Sequence, residues 1–135
     1  MAQPQQQVHP NDFQDSAAWA WIAKYEGMSI PDLRLKFGLE RPYFSWISQI
    51  EAKRKYARKF GPLFEKKWLF PVGLPLEQSS SYATAWFKAT LVTTPYSIDL
   101  CAGMGIDSDA LSQRKGLKQH WANELNPDLA QLLQH

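Results

Sequence analysis

The sequence predicts an α/β chain in which a helical N-terminal domain precedes the start of a β-α-β-α unit. Three observations carry this. Apolar residues recur at helical spacing through the first half. A short apolar run then breaks into a glycine pair, Gly103-Met104-Gly105, with an acidic residue, Asp99, just ahead of it. Finally, a second strand-like stretch ends in Glu124, 21 residues after Gly103. In dinucleotide-binding folds, roughly 20 residues separate the glycine turn from the acid that takes a ribose.

Composition sets the bounds. The chain has 135 residues, a formal charge of +2 and one cysteine. A lone cysteine excludes an internal disulfide and a cysteine-based metal cluster, so no metal is expected. No apolar run is long enough for a membrane span, and the glutamine-rich start lacks the basic and apolar regions of a signal peptide. These features read as a cytoplasmic protein with no membrane association.

Residues 1–12 read as a disordered tail, because a Gln- and Pro-containing segment has little apolar surface to offset its ordering entropy. Residues 13–70 read as the helical domain. Ala18, Trp21, Ile22 and Tyr25 share one helical face, with Asp15 or Ser16 as cap and Gly27 as stop. Ser29 or Ile30 before Pro31 opens a short helix that Gly38 ends. A longer helix follows from Pro42 to Arg58, with Phe44, Ile47, Ile50 and Ala57 in phase.

Residues 1–70 hold eleven Lys/Arg against seven Asp/Glu, and residues 71–135 hold four against six. Much of the excess lies in Lys53, Arg54, Lys55, Arg58 and Lys59, interleaved with Tyr56 and Phe60, and then in Lys66-Lys67-Trp68. Cations beside rings suit a nucleic-acid surface, since phosphates attract the charges and bases stack on the rings. A solvated helix face gives the same pattern. The six tryptophans are expected mostly in the helical core or at a domain seam.

Residues 71–96 read as a linker followed by a helix. Two prolines and Gly73 between Pro71 and Pro75 favour an extended connection. One of Ser79 to Ser81 caps a helix from about Tyr82 to Leu91, placed to pack on the glycine turn. Residues 97–135 then run from a buried strand through the glycine turn into a helix near Asp107, a second strand, and a helix capped by Asn126 with Pro127 in its first turn. Glycine permits positive φ and close backbone approach to a ligand, and a helix N-terminus stabilises negative charge. Cys101 fits here as a small turn residue.

The run Asp99-Leu100-Cys101-Ala102-Gly103-Met104-Gly105 resembles the first motif of class I S-adenosylmethionine-dependent methyltransferases, whose cofactor domain is Rossmann-like. Glu124 stands where that superfamily places its ribose-binding acid. A nicotinamide-dependent oxidoreductase is the competing reading, but its fingerprint wants a third glycine where this chain has Ser108. The preceding stretch, Leu76 to Ser80 with Thr84, Ala85 and Phe87 to Ala89, sharpens the resemblance. It is similar to a bacterial methyltransferase family with a helical N-terminal domain, whose longer members carry a region related to the RNA-binding THUMP modules.

That resemblance implies S-adenosylmethionine as cofactor, held by Asp99, Cys101, Ala102, Gly103, Gly105, Asp107 and Glu124, with Gln78, Ser80 and Thr84 as further polar contacts. For the serines, helix capping is the alternative. It also implies RNA as the methyl acceptor, bound by Lys53, Arg54, Lys55, Arg58 and Lys59. The superfamily's later strands and acceptor motif are not found before residue 135. The chain therefore reads as truncated and inactive alone, with its catalytic residues expected further along. A non-catalytic RNA- or protein-binding helical module with a vestigial methyltransferase half is the alternative.

Overall fold

The computed structural model describes residues 6–134. Three helices come first: α1 (Ser16–Tyr25), α2 (Ile30–Phe37) and α3 (Tyr43–Phe60). Their boundaries follow from local chemistry. The Asp15 carboxylate accepts from Ala17 N at 3.0 Å, and Ser29 Oγ accepts from Asp32 N at 3.2 Å, each satisfying an orphan donor of the first turn. Gly38, at φ 81°, ends α2 in a conformation that side-chain-bearing residues avoid.

The expected linker contains a further short helix, α4 (Leu74–Gln78), before α5 (Tyr82–Leu91). Of the three serines, Ser81 is the α5 cap and accepts from Thr84 N. Strand β1 (Tyr96–Asp99) leads through the glycine turn into α6 (Ile106–Ser112). Then β2 (Gln119–Ala122) leads into α7 (Pro127–Leu133), with Asn126 accepting from Asp128 N and Leu129 N. The strands are parallel, with Tyr96 opposite Gln119 and Asp99 opposite Ala122. This is the helix-rich α/β architecture with a two-stranded parallel sheet.

Two apolar clusters hold the molecule together, and α3 serves both. Ile47 and Ile50 meet Val8, Ala18, Ile22 and Leu33 on one side. Ala52 and Phe60 meet Leu63, Phe70, Ala85, Ala89, Met104 and Ile106 on the other. The second cluster joins residues from before and after position 71, so the proline-rich connection is not a break in packing. Gln49, buried on α3, pins that connection: its amide donates to Phe70 O at 2.9 Å, and its carbonyl accepts from Phe70 N at 2.8 Å.

Two expectations need correction. Residues 1–5 of the expected disordered tail lie outside the described residues, but residues 6–12 are packed. Val8 and Pro10 are buried, and Asp12 accepts from Ser45 Oγ at 2.5 Å and from Arg41 at 2.8 Å. Two buried apolar residues and two polar contacts outweigh the segment's polar composition. Strand β1 is likewise not a buried strand. Ser97 and Asp99 face the helices, while Tyr96 and Ile98 alternate onto an open face, where Tyr96 stacks on Trp121. Only one face of the pair is covered by helix.

Candidate functional site

The glycine turn is held against the end of β2 by pairing that continues beyond the strands. Asn123 N donates to Asp99 O at 2.8 Å, and Ala102 N donates to Asn123 O at 2.9 Å. This brings Glu124 under the turn. Its carboxylate accepts from Gly103 N at 2.6 Å through one oxygen and from Asn126 N at 2.8 Å through the other. A carboxylate has about four acceptor positions, so each oxygen retains capacity. The 21-residue spacing in the sequence is thus one direct contact in space.

Above this contact lies a cleft of about 490 Å³. Its walls are the end of α4 and the following turn (Pro75, Gln78, Ser79, Ser80), Lys88 of α5, the glycine turn (Cys101 to Met104), Ile106 and Asp107 of α6, and Glu124 and Leu129. Ligand pockets typically enclose about 300–1,000 Å³. Gly103 has φ 56°, and a Cβ there would meet no atom within 4 Å. Its backbone therefore borders open space.

Of the predicted contacts, Gln78, Ser80, Cys101, Ala102, Gly103, Asp107 and Glu124 line this one cleft. Three others do not. Asp99 points toward α6, where it accepts from Ser108 Oγ at 2.8 Å and from Cys101 N at 3.2 Å, so it braces the turn from behind. Gly105 faces the opposite side, against Trp68 and Leu133, because its φ of 80° turns the chain into α6. Thr84 is used at the start of α5, its hydroxyl 2.8 Å from Ser81 Oγ.

Sequence reasoning missed Lys88. Its ammonium lies 2.7 Å from both carboxylate oxygens of Asp107 and 2.7 Å from Ser80 Oγ. The available signal was spacing, since Lys88 is one helical turn beyond Thr84. The charged residues lining the cleft are Lys88, Asp107 and Glu124, an excess of one negative charge.

The basic stretch of α3 is largely consumed within the protein. Lys53 pairs with Glu26 at 2.9 Å, and Arg54 donates to the carbonyls of Glu26 and Met28 just past α1. Lys55 pairs with Glu77, and Lys59 donates to the carbonyls of Leu76 and Glu77 in α4. Burial lowers the Lys59 pKa, against the opposing pull of Glu77. Arg54 and Lys59 thereby cap helix C-termini, where carbonyls lack intrahelical partners. Among the described residues, Arg58 alone of the five has no such hydrogen bond. No helix among the described residues is long and apolar enough to cross a membrane, and no cluster of metal-ligating side chains is found among them.

Two parallel strands joined through a glycine turn and a covering helix, with the acid after the second strand bonded to that turn, make up a β-α-β unit of the α/β class. A solved structure agrees in kind. The chain is similar to the protein described as a "putative methyltransferase from Porphyromonas gingivalis W83", with a TM-score of 0.69 and 26% identity. The match covers 88% of this chain and 30% of that one. The fold is therefore methyltransferase-like, and the chain spans under a third of that protein's length. No protein-family model and no curated protein sequence matches the chain.

Proposed function

We propose that the cleft binds S-adenosylmethionine and that the chain supplies the cofactor-binding part of a methyltransferase. The observation that carries this is Glu124, fixed by Gly103 N and Asn126 N yet retaining acceptor capacity at the floor of the cleft. A ribose diol presents two adjacent hydroxyl donors, which matches one carboxylate with a free acceptor position on each oxygen. The open space at Gly103 lets backbone approach a ligand without an intervening side chain.

Charge separates this reading from a nicotinamide cofactor. S-adenosylmethionine carries a sulfonium, an ammonium and a carboxylate, and so has a net positive charge. A nicotinamide dinucleotide brings a pyrophosphate and is net negative. The cleft's negative excess favours the former. When bound, the cofactor supplies a methyl group already activated on sulfur. The residues described here have only to hold and orient it, and such positioning accounts for a large part of the acceleration of two-reactant steps.

RNA as methyl acceptor rests on the resemblance alone. The α3 cations give it little support, because four of the five have partners within the protein. Titration calorimetry with S-adenosylmethionine, and with NAD in parallel, tests the cofactor assignment. Binding of S-adenosylmethionine that is lost in Glu124→Ala is the expected result. Binding of NAD alone, or of neither, overturns it.

A further inference from the structure

We infer that Gln7 is a positioning residue for the ligand site: by tying the first turn of α7 to the N-terminal segment, it holds Glu124 in the orientation from which it meets the ligand. This rests on the S-adenosylmethionine reading above and extends it to a residue near the opposite end of the chain that does not line the cleft.

The tie runs through consecutive hydrogen bonds. Gln7 Nε2 donates to Asp128 Oδ2 at 2.7 Å, in a half-buried setting. Asp128 stands in the first turn of α7 and donates its own N–H to Asn126 Oδ1 at 2.9 Å. Asn126 N in turn donates to Glu124 Oε1 at 2.8 Å. Gly103 N donates to the other carboxylate oxygen, so the glycine turn fixes one oxygen of Glu124 and the start of α7 fixes the other.

Packing alone holds this helix loosely. No residue of α7 is buried. Its first turn borders a cavity of about 570 Å³, walled on the far side by the connection from Pro71 to Pro75. Leu132 packs on the cluster that contains Val8, and Leu133 lies by Gly105, but both belong to the last turn. The segment that carries Gln7 is firmly seated by contrast. Gln6 Nε2 donates to Leu39 O at 3.2 Å, His9 N donates to Ser45 Oγ at 3.2 Å, and Val8 is buried between them. An anchored donor therefore meets a lightly packed helix start. A hydrogen bond to a carboxylate is stronger than one between neutral groups, which suits it to set the position of that start.

Amide hydrogen exchange on the ligand-free chain and calorimetry with S-adenosylmethionine test this together. Gln7→Ala should speed exchange at Asp128, Leu129 and Ala130, whose N–H groups bond to Asn126, by about 10-fold or more, the worth of a hydrogen bond to a charged group. Amides of α1 and α3 should change by less than about twofold, because the opening is local. S-adenosylmethionine affinity should fall about 3- to 10-fold, since Gly103 N still holds one oxygen of Glu124. Gln7→Lys keeps a donor for Asp128 and should return both readouts to near the wild-type values, a rescue that lost packing would not show. Asp128→Ala removes the same bond from the other side, and adding Gln7→Ala to it should change neither readout further. Unchanged exchange in Gln7→Ala, faster exchange at unaltered affinity, or no rescue in Gln7→Lys overturns the positioning role and leaves cofactor binding standing. A wild-type chain that does not bind S-adenosylmethionine overturns the cofactor reading, and the positioning role with it. Should Gln7→Ala fail to fold, Asp128→Ala decides the matter: the same paired losses support the role, and unaltered affinity removes it.

Discussion

The helical region and the strand region bury apolar surface in different ways. In the first, α1, α2 and α3 close on one another. Trp21 meets Tyr25, Phe37, Tyr43 and Trp46 with ring centroids 4.9–5.8 Å apart, and Leu33 and Ile50 are sealed from solvent. In the second, one sheet face packs on helix and the other displays Tyr96, Ile98 and Trp121. Parallel strands are ordinarily covered on both faces. The strand region carries Gly103 and Glu124 of the proposed ligand site but packs on α3 through the shared cluster around Phe60 and Phe70. The most closed packing and the proposed site thus sit in different parts of the molecule, joined by one core.

The strongest way to break that comparison is to remove the join. Phe70 is 1% exposed and stacks on Phe64 at 4.4 Å. Phe70→Ala should cost about 3–5 kcal/mol, a large share of a typical domain's stability of about 5–15 kcal/mol. Urea unfolding followed by amide exchange should show both regions losing protection together. Loss confined to the strand region would make the two independent and sink the shared-core account.

The two turn glycines give the next contrast. A Cβ at Gly105 would lie 2.3 Å from Leu133 Cδ2, at a φ of 80°. Gly105→Ala should cost about 2–4 kcal/mol, combining left-handed backbone strain with overpacking. At Gly103 the added Cβ meets nothing, so Gly103→Ala should cost only the backbone share, about 1–2 kcal/mol, while weakening S-adenosylmethionine binding. Thermal melts of the two variants beside ligand titrations check the pair. A larger melting-point loss at Gly103 would reverse the assignment of the two glycines.

These contrasts show what the sequence exposes. Caps are short-range chemistry, so Asp15, Ser29 and Asn126 could be read from their neighbours alone. The Gly103–Glu124 contact was legible because strand, turn and helix lengths leave little freedom in a β-α-β unit. The anchoring of Asp12 was hidden, since its partner Ser45 is 33 residues away in a segment of unrelated composition. The fate of the α3 cations was hidden for the same reason. Lys53 and Lys55 pair with distant carboxylates, and Arg54 and Lys59 donate to main-chain carbonyls, which leave no mark in a sequence. Asp99 was misplaced by one alternation, because strand pleating turns it to the helix side, away from the cleft.

Acid should separate the regions by smaller steps. Burial lowers the His120 pKa below its ordinary 6.5; Asp99 opposes this and Arg114 adds to it. Nδ1 shares a 2.9 Å hydrogen bond with Ser97 Oγ, and Nε2 is buried without a partner among the described residues. The unfolded chain therefore takes up this proton first, and stability falls as pH drops through 6.5 toward the folded value. Asp12 behaves differently. Burial alone raises its pKa, but hydrogen bonds from Arg41 and Ser45 and the Arg41 charge outweigh this and hold it below 3.8. Its contribution is complete above that value and is lost as pH falls through the lower folded one. Urea midpoints should show an early decline that His120→Gln removes and a later one that Asp12→Asn removes. An early decline unchanged in His120→Gln would assign it elsewhere.

The smallest expected effect lies on the open sheet face. Trp121 is 46% exposed and Ile98 56%, so Trp121→Ser and Ile98→Thr remove side chains that folding only half buries. Each should cost about 1 kcal/mol, the centre of the range for point substitutions. Ile50→Ala in the helical region, at 1% exposure, should cost about 2–5 kcal/mol. The contrast is sharper still with a hydrophobic dye. Binding by the folded chain should drop in Trp121→Ser and Ile98→Thr, because apolar surface accessible in the native state is what such a dye reports. A loss above about 2 kcal/mol at Trp121 would mean that the face is covered in solution, and the two regions would then bury apolar surface in the same way.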